Sequence, residues 1–247
     1  MFKTSTPTAL VPCYNEKDRI GDVLKVLVES QYINKVLVVD DGSTDGTQDI
    51  VKEFKNVELL RLDKNIGKGG AVREGLKRVG DEYTFLLDAD LKGLTNEKIG
   101  LMIKPVFVEG YDACFGVLKR GPAWFQFFRK NIFPVMTGER VLRTDVLKNI
   151  LDSPNAQEWG IEFYMNLYLK KKGLRVKKID LVAVTDVMNF KKRGFRKYFI
   201  RLIKFWIINL KLFWLTYIPD RIATLWLFSL AKNTSKGVKY PRHFLGR

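Results

Sequence analysis

The sequence between residues 83 and 90 reads Tyr83-Thr84-Phe85-Leu86-Leu87-Asp88-Ala89-Asp90, so two carboxylates directly follow an apolar run. The run has the length and composition of a buried strand in a parallel sheet. Ligands of open α/β sheets bind at the carboxyl ends of the strands. Paired carboxylates there suit Mg²⁺ or Mn²⁺, which usually also contact substrate phosphates. The stretch therefore predicts an α/β fold with a cation site, although an acidic turn in solvent would have the same sequence.

Strand and helix patterns alternate along the chain around this stretch. Apolar segments typical of strands lie at 8–12, 35–39, 57–62, 83–87, 113–117 and 174–184. Helical spacing of apolar residues occurs at 16–30, 71–79, 96–109, 143–151 and 161–172, and Thr44 or Asp45 can cap a further helix. This alternation predicts a Rossmann-like, mostly parallel sheet with helices on both faces, here over residues 1–190.

A polar motif follows each of the first four predicted strands. The motifs are Pro12-Cys13-Tyr14-Asn15-Glu16, Asp40-Asp41-Gly42-Ser43-Thr44-Asp45-Gly46, Asn65-Ile66-Gly67-Lys68-Gly69-Gly70-Ala71 and Asp88-Ala89-Asp90. Because the carboxyl ends of parallel strands meet at one edge of a sheet, we expect one site. Its chemistry fits a nucleotide diphosphate: carboxylates for the base or ribose, a glycine for close backbone approach, and Lys68 with backbone N–H groups for phosphate. Taken singly, Asp-Gly-Ser is also typical of a turn and Gly-Lys-Gly-Gly of a flexible connection.

Several protein classes are excluded or disfavoured by the sequence. There is neither a Walker P-loop nor a nicotinamide-binding fingerprint after the first strand. The chain of 247 residues has only two cysteines, Cys13 and Cys114, so a disulfide framework is excluded and a reducing compartment is expected. The opening residues lack a signal-peptide pattern, which favours a cytoplasmic protein.

The net charge of +16 is concentrated near the end of the sequence. Residues 191–247 contain 14 Lys or Arg and a single acid, Asp220, which gives +13, whereas the preceding 190 residues carry only +3. So basic a segment indicates a negatively charged partner, either a membrane surface or a nucleic acid.

The basic segment also has an amphipathic pattern. On a helix over 193–214, basic residues form one stripe and aromatic or apolar residues fill the opposite face. The stripe consists of Arg193, Arg196, Lys197, Arg201, Lys204 and Lys211. We expect peripheral membrane contact through residues 193–231, within an amphipathic segment at 191–232 that precedes a basic tail at 233–247. Packing on the catalytic domain or on a second subunit is the alternative, and nucleic acid is disfavoured because the aromatic rings lie opposite the basic stripe.

The motifs at 11–16, 38–45, 65–71 and 87–91 together resemble the family 2 glycosyltransferases of GT-A fold, in particular dolichol- and polyprenyl-phosphate sugar transferases and glucosyl-phosphoglycerate synthase relatives. The resemblance covers about residues 8–185. It implies a nucleotide-sugar donor, with Asp40 and Asp41 near the base and ribose and Asp88 and Asp90 on the metal. The donor-binding residues that it implies are Pro12, Tyr14, Asn15, Glu16, Asp40, Asp41, Gly42, Ser43, Gly67, Lys68, Asp88, Ala89 and Asp90.

Three later segments add to the resemblance. The segment Met136-Thr137-Gly138-Glu139-Arg140 is similar to the acceptor-side loop of the family, which implies acceptor-side roles for Gly138, Glu139 and Arg140. The segment from Glu158 to Glu162 is similar to the start of the helix beneath the acceptor, although both could be plain helix acids. Some relatives place a histidine metal ligand after the strand near residue 180. Asp186 stands there instead, either as a third ligand or as an ordinary aspartate, and the one histidine is His243.

The function that these features predict is sugar transfer from a UDP- or GDP-sugar, dependent on Mg²⁺ or Mn²⁺. A polyprenyl phosphate or other lipid-linked acceptor at the inner face of a membrane fits the basic segment. A phosphate acceptor is already ionised and needs no base, whereas a hydroxyl acceptor would need one, for which Glu162 or Glu158 is the candidate. The alternatives are a small soluble acceptor, a nucleotidyltransferase, and a non-catalytic membrane or nucleic-acid adaptor.

Overall fold

The computed structural model describes residues 6–118, 137–152, 156 and 161–185. These residues all belong to the first of two units of the chain, Met1–Arg201. The amphipathic segment predicted at 191–232, with its helix over 193–214, and the basic tail at 233–247 lie outside the described residues, so they stay predictions. Within the described segments, no helix combines the length and the apolar content needed to cross a bilayer.

Strands and helices alternate along the described chain. The strands are β1 (Thr8–Cys13), β2 (Lys35–Asp40), β3 (Val57–Arg61), β4 (Tyr83–Leu86), β5 (Ala113–Leu118), β6 (Arg140–Arg143) and β7 (Val176–Leu181). The helices are α1 (Ile20–Val28), α2 (Thr47–Lys52), α3 (Lys68–Leu76), α4 (Asn96–Phe107), α5 (Thr144–Leu151) and α6 (Ile161–Lys171).

The described strands form one sheet in the order β3-β2-β1-β4-β6-β5-β7. Strand β6 pairs antiparallel with β4 and β5, and the other strand pairs of this sheet are parallel. The order reverses at β1 and β4, because β2 and β3 extend from β1 in one direction and the later strands extend in the other. Such a reversal leaves a crevice at the carboxyl ends of the two strands, where ligands of α/β proteins bind.

Both faces of the sheet are covered by helices, which explains why the inner strands β1, β2 and β4 are mostly apolar and buried. Successive strand residues point to opposite faces. Ala9 and Val11 therefore join a core cluster with residues of α1, α2 and α4. Leu10 joins a second cluster with residues of α3, α5 and α6. The result is a three-layer arrangement of helices, sheet and helices, as the sequence predicts.

Strand β1 contains a proline near the crevice without losing a sheet hydrogen bond. Its pairing with β4 runs from Thr8 to Leu10, and the N–H of Leu87 donates to the carbonyl of Leu10. Pro12 lies beyond this point, where β1 and β4 separate, so its missing N–H interrupts no ladder. The same separation opens the crevice beside the residues that follow β4.

The sequence pattern misses β6 and places several helix starts one to four residues away from their observed positions. The helix predicted from residue 143 begins at Thr144, and the four residues before it are strand. That strand contains only Val141 and Leu142 as apolar residues, which is too few to give a periodic signal. Helix α3 begins at Lys68, three residues earlier than predicted, so the Gly-Lys-Gly-Gly stretch is the first turn of a helix rather than a flexible connection.

Candidate active site

The carboxylates that follow β4 lie at the crevice between β1 and β4. Asp88 and Asp90 are half-buried, and Ala89 between them is buried in the core. Because β6 runs antiparallel to β4, its first residue, Arg140, pairs with Leu86 at the carboxyl end of β4. The sheet thus places Arg140 and its predecessor Glu139 at the same edge as Asp88.

One lysine joins two of the predicted catalytic carboxylates. The ammonium nitrogen Nζ of Lys68, the first residue of α3, lies 2.6 Å from Oδ1 of Asp88 and 2.7 Å from Oε1 of Glu162. Glu162 belongs to the first turn of α6. Burial alone would lower the pKa of Lys68, but the charges and hydrogen bonds of Asp88 and Glu162 outweigh it and raise that pKa. Three elements far apart in sequence therefore meet at one charged cluster.

Gly138 packs directly against the carboxylate of Asp88. A Cβ atom at residue 138 would lie within 2.5 Å of both Cγ and Oδ2 of Asp88, closer than atoms can approach. A glycine is thus needed for steric reasons at the loop before β6. Gly138 therefore forms a wall beside Asp88, and its acceptor-side role stays a prediction.

Glu139 is a fully buried acid beside this cluster. Its Oε2 accepts a hydrogen bond from the Thr137 hydroxyl, and within the described residues its Oε1 has no hydrogen-bond partner. Burial, and then the negative charge of Asp88, raise the pKa of Glu139 to about 7. The side chain therefore titrates near neutral pH, far from the range of a solvated glutamate.

Arg140 is the largest fully buried side chain of the described residues. Its Nε donates to the carbonyl of Thr137 at 2.9 Å, and its Nη1 donates to Oδ1 of Asn166 at 3.1 Å. The guanidinium carbon lies 4.1 Å from the centre of the Phe115 ring, in a cation–π contact. Burial lowers the pKa of Arg140 to about 10, against the opposing charges of Glu162, Glu139 and Asp88. The guanidinium stays charged and neutralises part of the acidic cluster.

The second predicted carboxylate group, after β2, organises the neighbouring loop. Oδ1 of Asp41 accepts the N–H of Ile66 at 2.7 Å, and Oδ2 accepts the N–H of Gly67 at 2.9 Å. Burial raises the pKa of Asp41, and these two hydrogen bonds oppose that rise. Because Gly67 directly precedes Lys68, Asp41 fixes the backbone from which the bridging lysine extends.

Asp40 is also buried and is directed at its own loop. Its Oδ1 accepts the N–H of Ser43 at 2.9 Å. Its Oδ2 has no hydrogen-bond partner among the described residues, and Nε of Arg61 lies 3.6 Å away. The Ser43 hydroxyl in turn accepts the N–H of Asn15 at 2.9 Å, and Asn15 has a positive φ of 55°. The loops after β1 and β2 are therefore joined by side-chain hydrogen bonds.

Gly42 and Glu16 make two further contacts between neighbouring segments at this end of the sheet. Gly42 has a φ of +73°, and a Cβ there would lie 2.9 Å from the carbonyl carbon of Lys64. The glycine thus permits close approach to another loop, and its predicted approach to a ligand stays a prediction. The backbone N–H of Glu16 donates to the Thr47 hydroxyl at 2.8 Å. Of the other predicted donor residues, Pro12 is buried and Tyr14 is half-buried at the end of β1.

The described residues offer part of a metal site. They contain no group of three or more His, Cys, Asp or Glu side chains arranged to hold a metal ion. Two carboxylates, Asp88 and Asp90, are nevertheless the donor set typical of Mg²⁺, which takes its other ligands from water and substrate phosphates. Two further predicted residues, Asp186 and Glu158, lie outside the described residues. Thr185, the last described residue, forms a backbone bridge to Lys92, with N···O distances of 2.8 and 3.1 Å.

Two polar neighbours of the cluster, Thr137 and Asn166, are not distinguished as site residues by the sequence. Thr137 belongs to the quoted loop, but nothing in its local pattern distinguishes it. Asn166 follows Glu162 by four residues and so lies on the same face of α6. That spacing is the one signal from which its proximity to the site could have been inferred.

Comparison with known proteins identifies the family. Residues 8–199 match the model of glycosyl transferase family 2. The chain belongs to this family. The match confirms the family and the enzyme class that the motifs indicate, and the sheet and helices confirm the predicted fold class.

The similar proteins include long synthases and short uncharacterized proteins. Poly-beta-1,6-N-acetyl-D-glucosamine synthase of Staphylococcus epidermidis is 38% identical over 85 residues, which are 33% of this chain and 21% of that protein. The chain thus matches about a fifth of the length of this synthase. An uncharacterized protein of Methanocaldococcus jannaschii is 30% identical over 201 residues, which are 68% of this chain and 83% of the relative.

The family fold is also found among solved structures. Glucosyl-3-phosphoglycerate synthase from Mycobacterium tuberculosis, crystallised with Mn²⁺, UDP and phosphoglyceric acid, superposes with a TM-score of 0.63. The alignment covers 74% of this chain and 71% of that chain at 16% identity. A crystal structure of the same synthase with Mg²⁺ and UDP gives the same TM-score of 0.63. At this level of identity the likeness supports a shared fold.

Proposed function

We propose that this protein transfers a sugar from a UDP- or GDP-sugar to an acceptor at a membrane surface, with a divalent cation. The observation that carries the proposal is the cluster at the switch point of the sheet, where Lys68 lies within 2.7 Å of both Asp88 and Glu162. A site of this kind offers carboxylates for a divalent metal ion and a lysine ammonium for a diphosphate. It lies at the end of the sheet where α/β folds bind ligands.

The donor end of the site is assigned to Asp88, Asp90 and Lys68. The two carboxylates would hold Mg²⁺ or Mn²⁺, and related structures with these ions and UDP support that choice. When bound, the cation supplies positive charge that stabilises the departing diphosphate. Lys68 would add a second positive charge, and because α3 begins at this residue, the positive end of the helix dipole would act on the same phosphates.

Asp186 is proposed as a third oxygen ligand. The backbone bridge between Thr185 and Lys92 supports this assignment, because it brings the residue before Asp186 beside the chain that leaves Asp90. The donor loops are proposed to bind the nucleotide through residues after β1 and β2. Since Asp40 and Asp41 already hold backbone N–H groups, a second role in binding base or ribose would use their remaining acceptor capacity.

The acceptor end is assigned to the first turn of α6 and the loop before β6. Glu162 is the candidate base for a hydroxyl acceptor, and Glu158, outside the described residues, is the second candidate. An ionised phosphate acceptor would need neither. Gly138, Glu139 and Arg140 are all buried, so we propose that they shape the acceptor side from behind the cluster. The basic amphipathic pattern at 193–231 supports a lipid-linked acceptor and a peripheral position on the inner face of a membrane.

The decisive experiment measures transfer from labelled UDP- and GDP-sugars to polyprenyl phosphate and to small soluble acceptors. Asp88→Asn and Asp90→Asn should each lower turnover by about 10²–10³-fold or more, and excess chelator should stop it. Asp152→Asn, an exposed aspartate at the end of α5, is the matched control and should retain full activity.

Each outcome of this experiment has a distinct meaning. Full activity of either variant, or in chelator, contradicts the cation site. Transfer to soluble acceptors alone contradicts the lipid-linked acceptor while leaving the donor assignment intact. Release of pyrophosphate from a nucleoside triphosphate, without sugar transfer, would favour a nucleotidyltransferase instead.

A further inference from the structure

The ammonium group of Lys68 contacts Asp88, the carboxylate that the proposed function assigns to a divalent cation. It lies 2.6 Å from Oδ1 of Asp88, which is hydrogen-bonding distance from a proposed metal ligand. Its second partner, Glu162, lies 2.7 Å away on a different helix. The lysine side chain is 33% exposed, so it is partly screened from water and yet open to a ligand.

Two cations cannot share one carboxylate without a cost. A divalent ion bound to Asp88 would stand within a few ångströms of the Lys68 ammonium, and like charges at that distance repel strongly in a partly buried site. Metal loading therefore favours departure of the ammonium from Oδ1 of Asp88. Leaving Asp88 costs the ammonium one of its two anionic partners and leaves it only Glu162, unless a further anion takes the place of Asp88.

The backbone at Lys68 is fixed, so the movement is confined to the side chain. Asp41 holds the N–H groups of Ile66 and Gly67 at 2.7 and 2.9 Å. The N–H of Ala71 donates to the carbonyl of Gly67 at 2.9 Å, which closes the first turn of α3. Above this anchored turn, the four-carbon stem of lysine lets the ammonium exchange one anion for another.

We propose that Lys68 is an internal counter-ion that holds the cation position at Asp88 until a nucleotide diphosphate offers it a new partner. The inference rests on the proposed function. The divalent cation then binds weakly to the protein alone and tightly together with the nucleotide, because the diphosphate takes the ammonium and frees the carboxylate. Lys68 thereby links loading of the metal to arrival of the donor.

Loss of the Lys68 charge is predicted to raise the affinity for the metal alone and to weaken the coupling between metal and nucleotide. Coupling between two ligands is reciprocal, and typical values lie between about 5- and 150-fold. Replacing Lys68 by an uncharged residue removes the competitor at Asp88, so affinity for the metal alone should rise. The same change removes the partner of the diphosphate, so the gain in metal affinity caused by the nucleotide should shrink. A lysine that only binds phosphate would leave metal affinity in the absence of nucleotide unchanged.

The test is a titration of the full chain with Mn²⁺, followed by electron paramagnetic resonance of the free ion, without nucleotide and with UDP or GDP. We expect UDP or GDP to raise the Mn²⁺ affinity of the unaltered protein by at least about tenfold. Lys68→Met should bind Mn²⁺ alone at least about tenfold more tightly, and its enhancement by nucleotide should fall by about the same factor. Lys77→Met, which removes an exposed lysine at the end of the same helix, should match the unaltered protein.

The outcomes separate this inference from the proposed function. Lys68→Met with unchanged or weaker affinity for Mn²⁺ alone overturns the counter-ion role, whatever the activity. Lys68→Gln provides a second uncharged variant should the Met variant fold poorly, and both are checked by circular dichroism. The unaltered protein provides a third measurement, since equal Mn²⁺ affinity with and without nucleotide also overturns the inference. Absence of Mn²⁺ binding even with UDP and GDP would instead overturn the proposed function.

Discussion

At the scale of single residues, Glu139 makes stability depend on pH. Its pKa is raised from an ordinary 4.5 to about 7, first by burial and then by the charge of Asp88. An acid whose pKa is higher in the folded chain binds its proton more tightly there than in the unfolded chain. The proton on Glu139 therefore contributes its full stabilisation of the folded state below about pH 4.5. This contribution to the free energy of unfolding is lost as the pH rises through about 7.

Glu139→Gln should remove this pH dependence, because the amide resembles the protonated acid and cannot ionise. Relative to the unaltered protein, the variant should gain up to about 3 kcal/mol of unfolding free energy between pH 5 and pH 8. The measurement is urea unfolding at both pH values in the presence of a chelator. Glu82→Gln, at an exposed glutamate, is the control and should shift the two values equally. Parallel pH profiles for Glu139→Gln and the unaltered protein would contradict the prediction.

The local motifs predict which residues form the site, but they do not predict all of the contacts between them. Asp88, Lys68 and Glu162 were all predicted from their motifs, and the structure brings them together. The contacts of Asp41 could not be predicted, because its partners Ile66 and Gly67 follow it by 25 and 26 residues and belong to another loop. A short motif specifies which groups are present, whereas the partner of each group depends on which strand ends become neighbours.

At the scale of elements, the packing around two helical glycines, Gly75 of α3 and Gly21 of α1, predicts opposite effects of substitution by alanine. A Cβ at Gly75 of α3 would lie 2.6 Å from Leu10 and 2.7 Å from Val39, both of which are fully buried. Gly75→Ala should therefore destabilise the protein by about 1–3 kcal/mol through overpacking, although alanine is the better helix former.

Gly21 in α1 is the matched control for that substitution. A Cβ there would meet Ile50 at 3.6 Å, which is an ordinary contact. Gly21→Ala should stabilise the protein by up to about 1 kcal/mol, since only the helix propensity changes. Urea unfolding of both variants measures the difference. Stabilisation by Gly75→Ala would show that α3 can move away from β1 and β2.

The elements also show why most of the fold could be predicted and β6 could not. Strands such as β1 and β2 are buried on both faces, so their sequences are apolar runs bounded by polar turns. Strand β6 has four residues and begins with Arg140, whose burial depends on Phe115, Thr137 and Asn166. Its identity as a strand comes from pairing with β4 and β5, and that information lies outside the segment.

At the scale of the whole molecule, charge is divided unequally between residues 1–190, here called the body, and the last 57 residues. The body carries +3 and the last 57 residues carry +13. The body contributes a smaller basic group of its own. These are exposed lysines in and after α6 and on β7, namely Lys170, Lys171, Lys172 and Lys178. Strand β7 is an edge of the described sheet, and lysines on an edge strand discourage pairing with other chains. The two basic groups therefore allow a test of which one meets a membrane.

The amphipathic pattern predicts that the full chain binds anionic phosphatidylglycerol vesicles more tightly than neutral phosphatidylcholine vesicles, and less tightly as salt rises. Each basic residue near an anionic surface contributes about 1 kcal/mol, so changing four of them to Gln should weaken partitioning by up to about a thousandfold. The four are Arg196, Lys197, Arg201 and Lys204. The same change at the four lysines of α6, its end and β7 removes equal charge from the body and should leave partitioning, measured by vesicle flotation, nearly unchanged. The reverse result would mean that the body faces the lipid, and equal partitioning of both variants and the unaltered chain would leave the lipid-linked acceptor without its main support.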